Sequence, residues 1–376
     1  MSLQRTSFLG NTLDRLYFLN HSPIENVHFS KNSSDFTVSE IPMYEFSGEG
    51  EHLVLHVRKK DLTTWQMIQA LSETCGAKAR DFGYAGLKDK EGMTTQYVSI
   101  HKSFEGKLEN FEHDKIKILS RTYHNNKIKI GHLKGNRFFI RLKKVNPTDA
   151  NKLEQAIKTI KKEGYPNFFG YQRFGKEKNN FEQGLAILNG ERRERNKKIK
   201  DLLISSYQSH LFNLWLSKRI EISKLFASFS EKELGDIFPW GKETIKQVKE
   251  QKSFMKILPG DVCHHYPHGK AYLCDDVNEE SKRFSNRDIT LTGWLIGSRA
   301  MQSDGIARDV AKDFFADAIP YKDKMTGARR FAWSFAEDVE WRYREEEAWF
   351  EMNFSLQKGS YATVVLEEVL RREVFL

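Results

Sequence analysis

Asp89 stands between Lys88 and Lys90 in the segment Gly83-Tyr84-Ala85-Gly86-Leu87-Lys88-Asp89-Lys90-Glu91-Gly92-Met93-Thr94-Thr95-Gln96. Ammonium groups nearby favour the ionised form of a carboxylate. An anionic oxygen on a tight loop has the geometry of a nucleophile or a base. The interspersed glycines let the backbone kink and come close to a ligand. Taken alone, Lys-Asp-Lys also describes an ordinary solvated turn. Asp89 and Glu91 together raise a third reading, a Mg²⁺ site in a nuclease. Hydrolytic two-metal sites need several convergent carboxylates, and this neighbourhood offers Lys88 and Lys90 instead.

Other groupings carry less. Between Glu191 and Lys200 lie Arg192, Arg193, Arg195, Lys197, Lys198 and Lys200, a run that binds phosphates or simply faces water. Cys263, His264, His265, His268 and Cys274 are the raw material of a zinc site, but their spacing does not fit the usual structural sites. No Gly-x-x-x-x-Gly-Lys-Ser/Thr loop and no dinucleotide fingerprint occurs, so a nucleotide cofactor is not expected; the Cys/His spacing and the lysines beside Asp89 count against a metal.

The elements that must position Asp89 follow from periodicity. Alternation predicts strands at Asp35–Ile41, His52–Val57, Gln96–Ile100, Lys127–Ile130 and Phe138–Leu142. A helix is expected from about Thr63 to Lys78, with Trp65, Ile68, Leu71 and Cys75 near helical spacing. Helical periodicity returns after Pro147, with Thr148 placed as an N-cap, and again from Asp201 to Ile222. Alternation resumes through Val339, Trp341 and Tyr343 and through Phe350, Met352, Phe354 and Leu356, and a closing helix follows Gly359-Ser360. Strand-rich ends thus flank a helix-rich middle, which suggests a sheet domain built from both termini around an inserted domain.

The chain has 376 residues, 39% hydrophobic and 30% charged, with Lys+Arg 60 against Asp+Glu 51. A net charge of +9 beside 12% aromatics suits an RNA partner, which is read by stacking next to a positive groove. Three cysteines cannot build a disulfide framework, and no run approaches the ~20 apolar residues of a spanning helix. A soluble cytoplasmic protein is expected. No sustained heptad is visible, so a monomer is the expected state.

Ala85-Gly86-Leu87-Lys88-Asp89-Lys90, followed by Thr94-Thr95-Gln96, resembles the active-site motif of the tRNA pseudouridine synthase D (TruD) family. Five further segments agree in order: Asp35–Glu40, Gly48–Leu53, Leu133–Phe138, Pro166–Gly175 and Lys358–Val364. The resemblance implies isomerisation of uridine to pseudouridine in tRNA, typically at uridine-13, with no metal or organic cofactor. It implies an α/β (α+β) fold. A pseudouridine synthase catalytic domain with a central mixed or antiparallel sheet would comprise residues 1–165 and 326–376. An inserted, mainly helical α/β domain would span 166–325.

Asp89 falls on the position of the nucleophile. Phe36, Asn136 and Tyr361 fall on positions that contact the target nucleotide, and Phe138 on the ring stacked against the flipped base. Where the family often has Phe, this chain has Tyr361. A basic residue upstream of Asp35-Phe36 commonly supports the aspartate. Lys31 is the only Lys or Arg between Asn20 and Arg58, one residue short of that spacing. Lys31, Lys88, Lys90 and Arg173 are the candidates for supporting Asp89 or holding RNA phosphate. Two other classes compete: an RNA-binding or tRNA-folding protein without the chemistry, and a metal-dependent RNA nuclease.

Overall fold

A computed structural model describes residues 15–374. By internal contacts the chain divides into two units. One comprises residues 24–161 and 336–362; the other comprises 162–335 with the described residues of 1–23 and 363–376. Relative to the sequence expectation, the described residues before 24 and after 362 thus group with the middle of the chain.

The first unit is built on one mixed sheet. Its strands are β1 (Phe36–Pro42), β2 (His52–Lys60), β3 (Gly83–Tyr84), β4 (Met93–His101), β5 (Ile116–His124), β6 (Leu133–Lys143), β7 (Glu337–Arg344) and β8 (Trp349–Gln357). They lie in the order β7-β8-β6-β1-β4-β2-β5, with β3 paired to β4. Only β1 and β4 run parallel; the other pairs are antiparallel. Strands from both sides of the inserted stretch therefore share one sheet.

Helix α1 (Thr64–Cys75) packs on the half of the sheet that carries β2 and β4. Its buried positions, Thr64, Met67, Ile68, Leu71 and Cys75, recur every three or four residues and form its inner face. They meet Leu53, Leu55, Val57, Val98 and Ile100 from the strands. Thr63 caps the helix by accepting from the backbone of Gln66, whose side chain returns the bond. The helix stops at Gly76, in the left-handed region at φ 72, two residues before the expected end at Lys78.

Three local expectations change. Lys127–Ile130 is not a strand: Ile128 N–H donates to Ser99 Oγ, and Gly131 N–H donates to the Ala85 carbonyl. A side chain and a loop carbonyl thus take donors that a ladder would have used. The strand Ile116–His124 was not anticipated; as the edge strand it mixes exposed and half-buried positions, and its alternation is weak. Helix α2 (Pro147–Glu163) is capped by Asn146 and not by Thr148, because Pro147 takes the first helical position and Asn146 Oδ1 accepts from Asp149 N–H.

The second unit is mainly helical, around the 32-residue helix Lys197–Ser228. It also holds a four-stranded sheet in the order Ala328–Phe331, Ile289–Leu295, Val262–His265, Ala271–Leu273. Arg192, Arg193 and Arg195, and the lysines that open the long helix, are exposed. No helix among the described residues is long and apolar enough to cross a membrane.

Candidate active site

Residues 85–92 form the loop between β3 and β4, where it meets the start of β1. Both sides of the loop are tied down through the backbone. The Ala85 carbonyl accepts from Gly131 N–H at 2.8 Å, and the Gly92 carbonyl from Asp61 N–H at 3.2 Å. Lys88 N–H donates to Thr64 Oγ1 at 2.9 Å, and that hydroxyl donates to buried Gln96 Oε1 at 3.0 Å. The first residue of α1 thus pins the loop to β4. Gly92 has φ +86, and a Cβ there would lie 2.8 Å from the Phe36 carbonyl, so this close approach needs glycine.

At the tip, Asp89 is exposed. Among the described residues its carboxylate makes no hydrogen bond or ion pair, although its backbone carbonyl is held. Lys59 Nζ donates to it at 2.7 Å and to the Leu62 carbonyl at 2.5 Å. Lys59 is fully buried on β2. Burial lowers its pKa to about 8; the charges of Asp89 and Asp61 work against that shift, and the charge of Lys88 adds to it.

Lys88 points inward, to a different group. Its ammonium lies 3.1 Å from Glu40 Oε2 and donates to Asn136 Oδ1 at 2.7 Å. Glu40 on β1 and Asn136 on β6 are register partners, so Lys88 closes a bridge over two adjacent strands. Burial raises the Glu40 pKa, against the charge and hydrogen bond of Lys88 and the backbone N–H of Tyr97. With its carbonyl oxygen taken by Lys88, Asn136 is oriented to offer its NH₂ group to a ligand.

The remaining candidates in this unit lie as follows. The side chain of Lys31 is nearly buried, with its ammonium 3.9 Å from Glu91 Oε2 and 6.0 Å from the centre of the Phe36 ring. Phe36 and Phe138 are both buried, with ring centres 6.3 Å apart and planes 30° from parallel. Phe29 meets Phe36 edge-on, and Phe354 meets Phe138. Lys90 is exposed in the loop, and Tyr361 is half-buried just before the helix Ala362–Leu370. Arg173 belongs to the other unit, where its guanidinium donates to Ser209 Oγ at 3.1 Å and lies over the Phe169 ring.

Sequence reasoning missed Lys59 and Thr64, and gave no role of their own to Glu40 and Gln96, which lie within matched segments. For two of them a signal was present. Lys59 continues the series Leu53, Leu55, Val57 on β2, and Glu40 continues Phe36, Val38 on β1. A charge at the buried parity of a strand is uncommon without a partner. Among the described residues no group of three or more His, Cys, Asp or Glu could hold a metal ion. Of the candidate zinc ligands, the Cys263 thiol is pushed well up by burial, and Cys274 to about 12 for the same reason.

The family model described as tRNA pseudouridine synthase D (TruD) matches residues 12–195 and 193–369. A Campylobacter jejuni protein named tRNA pseudouridine synthase D is 55% identical over 361 residues, covering 96% of each chain. Proteins of that name from Nitratiruptor and Helicobacter hepaticus are 52% and 46% identical, covering 96% and 95% of this chain and 99% and 96% of their own. A solved structure from Methanosarcina mazei, also described as tRNA pseudouridine synthase D, matches with a TM-score of 0.68 at 20% identity. It covers 96% of this chain and 97% of its own, and shows the shared fold.

Proposed function

This chain belongs to the tRNA pseudouridine synthase D family, and from that premise we propose that it isomerises uridine-13 of tRNA with Asp89 as the carboxylate that acts on the flipped-out nucleotide. The observation that carries the reading is the contrast within one loop. Three ammonium groups, Lys31, Lys59 and Lys88, are buried around it with partners of their own, whereas the Asp89 carboxylate is exposed and makes no hydrogen bond or ion pair among the described residues. A loop built to present one anion would be organised in this way. We read the mixed-sheet unit as the catalytic domain and residues 166–325 as the inserted domain, in a monomeric enzyme of the cytoplasm.

The N1–C1′ bond must break, the base must turn, and C5 must bond to C1′ while its proton is lost. A stacked base cannot do this, so the nucleotide must leave the stack and be held. Asp89 acts at the sugar or the base. The Asn136 NH₂ meets a uracil or ribose acceptor, and the Phe36–Phe138 pair and Tyr361 supply apolar faces. Base–aromatic stacking contributes ~1–3 kcal/mol per base. Lys90 and, in the other unit, Arg173 are assigned to phosphate.

The test is to incubate the purified protein with tRNA, with Mg²⁺ and separately in EDTA, and map pseudouridine and cleavage. Modification at position 13, lost in Asp89→Asn, supports the reading. An Asp89→Asn protein that modifies tRNA at the wild-type rate removes the nucleophile, cleavage products that EDTA abolishes would indicate a nuclease, and binding without modification a folding factor.

A further inference from the structure

Lys59 occupies a position that the fold by itself would fill with an apolar side chain. It follows Leu53, Leu55 and Val57 on the inner face of β2 and, like them, has no exposed surface. Its ammonium donates to the backbone carbonyls of Leu62 and Asp89. Among the described residues no carboxylate stands within ion-pair distance of it. A buried charge held only by dipoles is costly, and such groups gather where function requires them. The two carbonyls it joins belong to the segment leading into α1 and to the tip of the catalytic loop.

We propose that Lys59 is a positioning residue for the reaction: its ammonium clamps the peptide of Asp89 to that of Leu62 and so fixes where the Asp89 carboxylate meets the nucleotide. This rests on the reading of Asp89 as the acting carboxylate. A nucleophile on a glycine-bordered loop has little side-chain length with which to correct its aim, so a backbone anchor controls its reach. A displacement of about 1 Å at a reacting group is enough to lower a rate by about a hundredfold. The groups that face Lys59 are Asp89, Lys88 and Asp61.

The experiment compares wild type, Lys59→Met, Lys59→Arg and Asp89→Asn by single-turnover rate at saturating tRNA, tRNA affinity and melting temperature. Lys59→Met is expected to slow the chemical step by about 10–100-fold while changing tRNA affinity less than about twofold. Lys59→Arg, which keeps the charge and the donors, is expected to recover most of the rate. An active Asp89→Asn protein overturns the reading of Asp89. An inactive Asp89→Asn protein beside Lys59→Met at the wild-type rate overturns the clamp alone. Rate, affinity and melting temperature falling together in Lys59→Met, without rescue by Lys59→Arg, would make Lys59 merely structural and also overturn it.

If Lys59→Met does not fold, the wild-type pH profile decides. The rate should fall as pH rises through about 8, where Lys59 loses its proton, with tRNA affinity unchanged. A rate that stays flat from about pH 7 to about pH 10 overturns the proposal.

Discussion

Replacing Lys88 by Met tests whether this lysine serves the Glu40–Asn136 bridge, as its contacts show, or the neighbouring Asp89, as its place in the sequence suggests. The Glu40 side chain is 1% exposed and that of Lys88 8%, so the ammonium is the main compensation for a buried carboxylate. Removing one partner of such a pair costs about 3–5 kcal/mol, because the other charge stays buried. Glu40 can limit that loss by taking a proton. Its folded pKa is already raised above 4.5 by burial, and losing Lys88 raises it further.

A carboxyl whose folded pKa lies above its unfolded value contributes stability that is fully present below the unfolded pKa. That stability is lost as pH rises through the folded pKa. The deficit of Lys88→Met relative to wild type should therefore be largest near pH 8 and shrink toward pH 5, by up to about 1.4 kcal/mol per pH unit within the window. Adding Glu40→Gln removes the stranded charge, so the double variant should be more stable at pH 8 than Lys88→Met alone. Urea unfolding followed by tryptophan fluorescence at several pH values measures all of this. An equal deficit at every pH, or a double variant no more stable than the single one, would refute the assignment of Lys88 to Glu40.

Four further outcomes are expected. Gly92→Ala, forced to φ +86 and against the Phe36 carbonyl, should lose about 1–3 kcal/mol in urea unfolding and most of its activity. Gly135→Ala would place a Cβ 2.2 Å from the Leu356 carbonyl; the β6–β8 pairing must then open, Asn136 shifts, and unfolding and rate measurements should both register the loss. Burial raises the Asp35 pKa, but Lys143, Asn32 and Arg141 together outweigh it and hold the group below its usual value. Its contribution is thus present above the unfolded pKa and lost as pH falls through the folded one. Asp35→Asn should cost about 2 kcal/mol at pH 7 and less near pH 3, as read by unfolding across that range. Affinity for tRNA, measured by filter binding, should fall at least about tenfold between about 50 and 200 mM salt if the surface neutralises several phosphates; a flat response would remove the phosphate role given to the basic groups.

What was legible in the sequence was whatever depends on side-chain type at short range. Leu53, Leu55 and Val57 alternate because one face of β2 is buried, and Met67, Ile68, Leu71 and Cys75 recur because one face of α1 is. The loop by itself read as an ordinary charged turn, and only its resemblance to a known family, in order with five other segments, marked it as a candidate site. What stayed hidden depends on partners far along the chain. Thr64 reads as an ordinary helix start until the N–H of Lys88 arrives from 24 residues away. Lys127–Ile130 has a strand's alternation, but Ser99 and Ala85 capture neighbouring backbone donors before a ladder can. The edge strand Ile116–His124 lacks the buried stripe that would have announced it.

The lysines of the loop show why proximity in sequence misleads about electrostatic roles. Lys88 and Lys90 flank Asp89 and invite the view that they keep it ionised. Lys88 is turned to Glu40 and Asn136, where it orients the amide that would meet the base. The cation that holds Asp89 is Lys59, 30 residues earlier, and it grips the backbone and not the carboxylate. Successive side chains that serve different partners let one short loop hold Asp89, the proposed nucleophile, and Asn136, the proposed base contact, at once. Lys88→Met should therefore disturb Asn136, and Lys59→Met should disturb Asp89. If either substitution disturbed both groups equally, the loop would be moving as a single body and this separation of roles would be wrong.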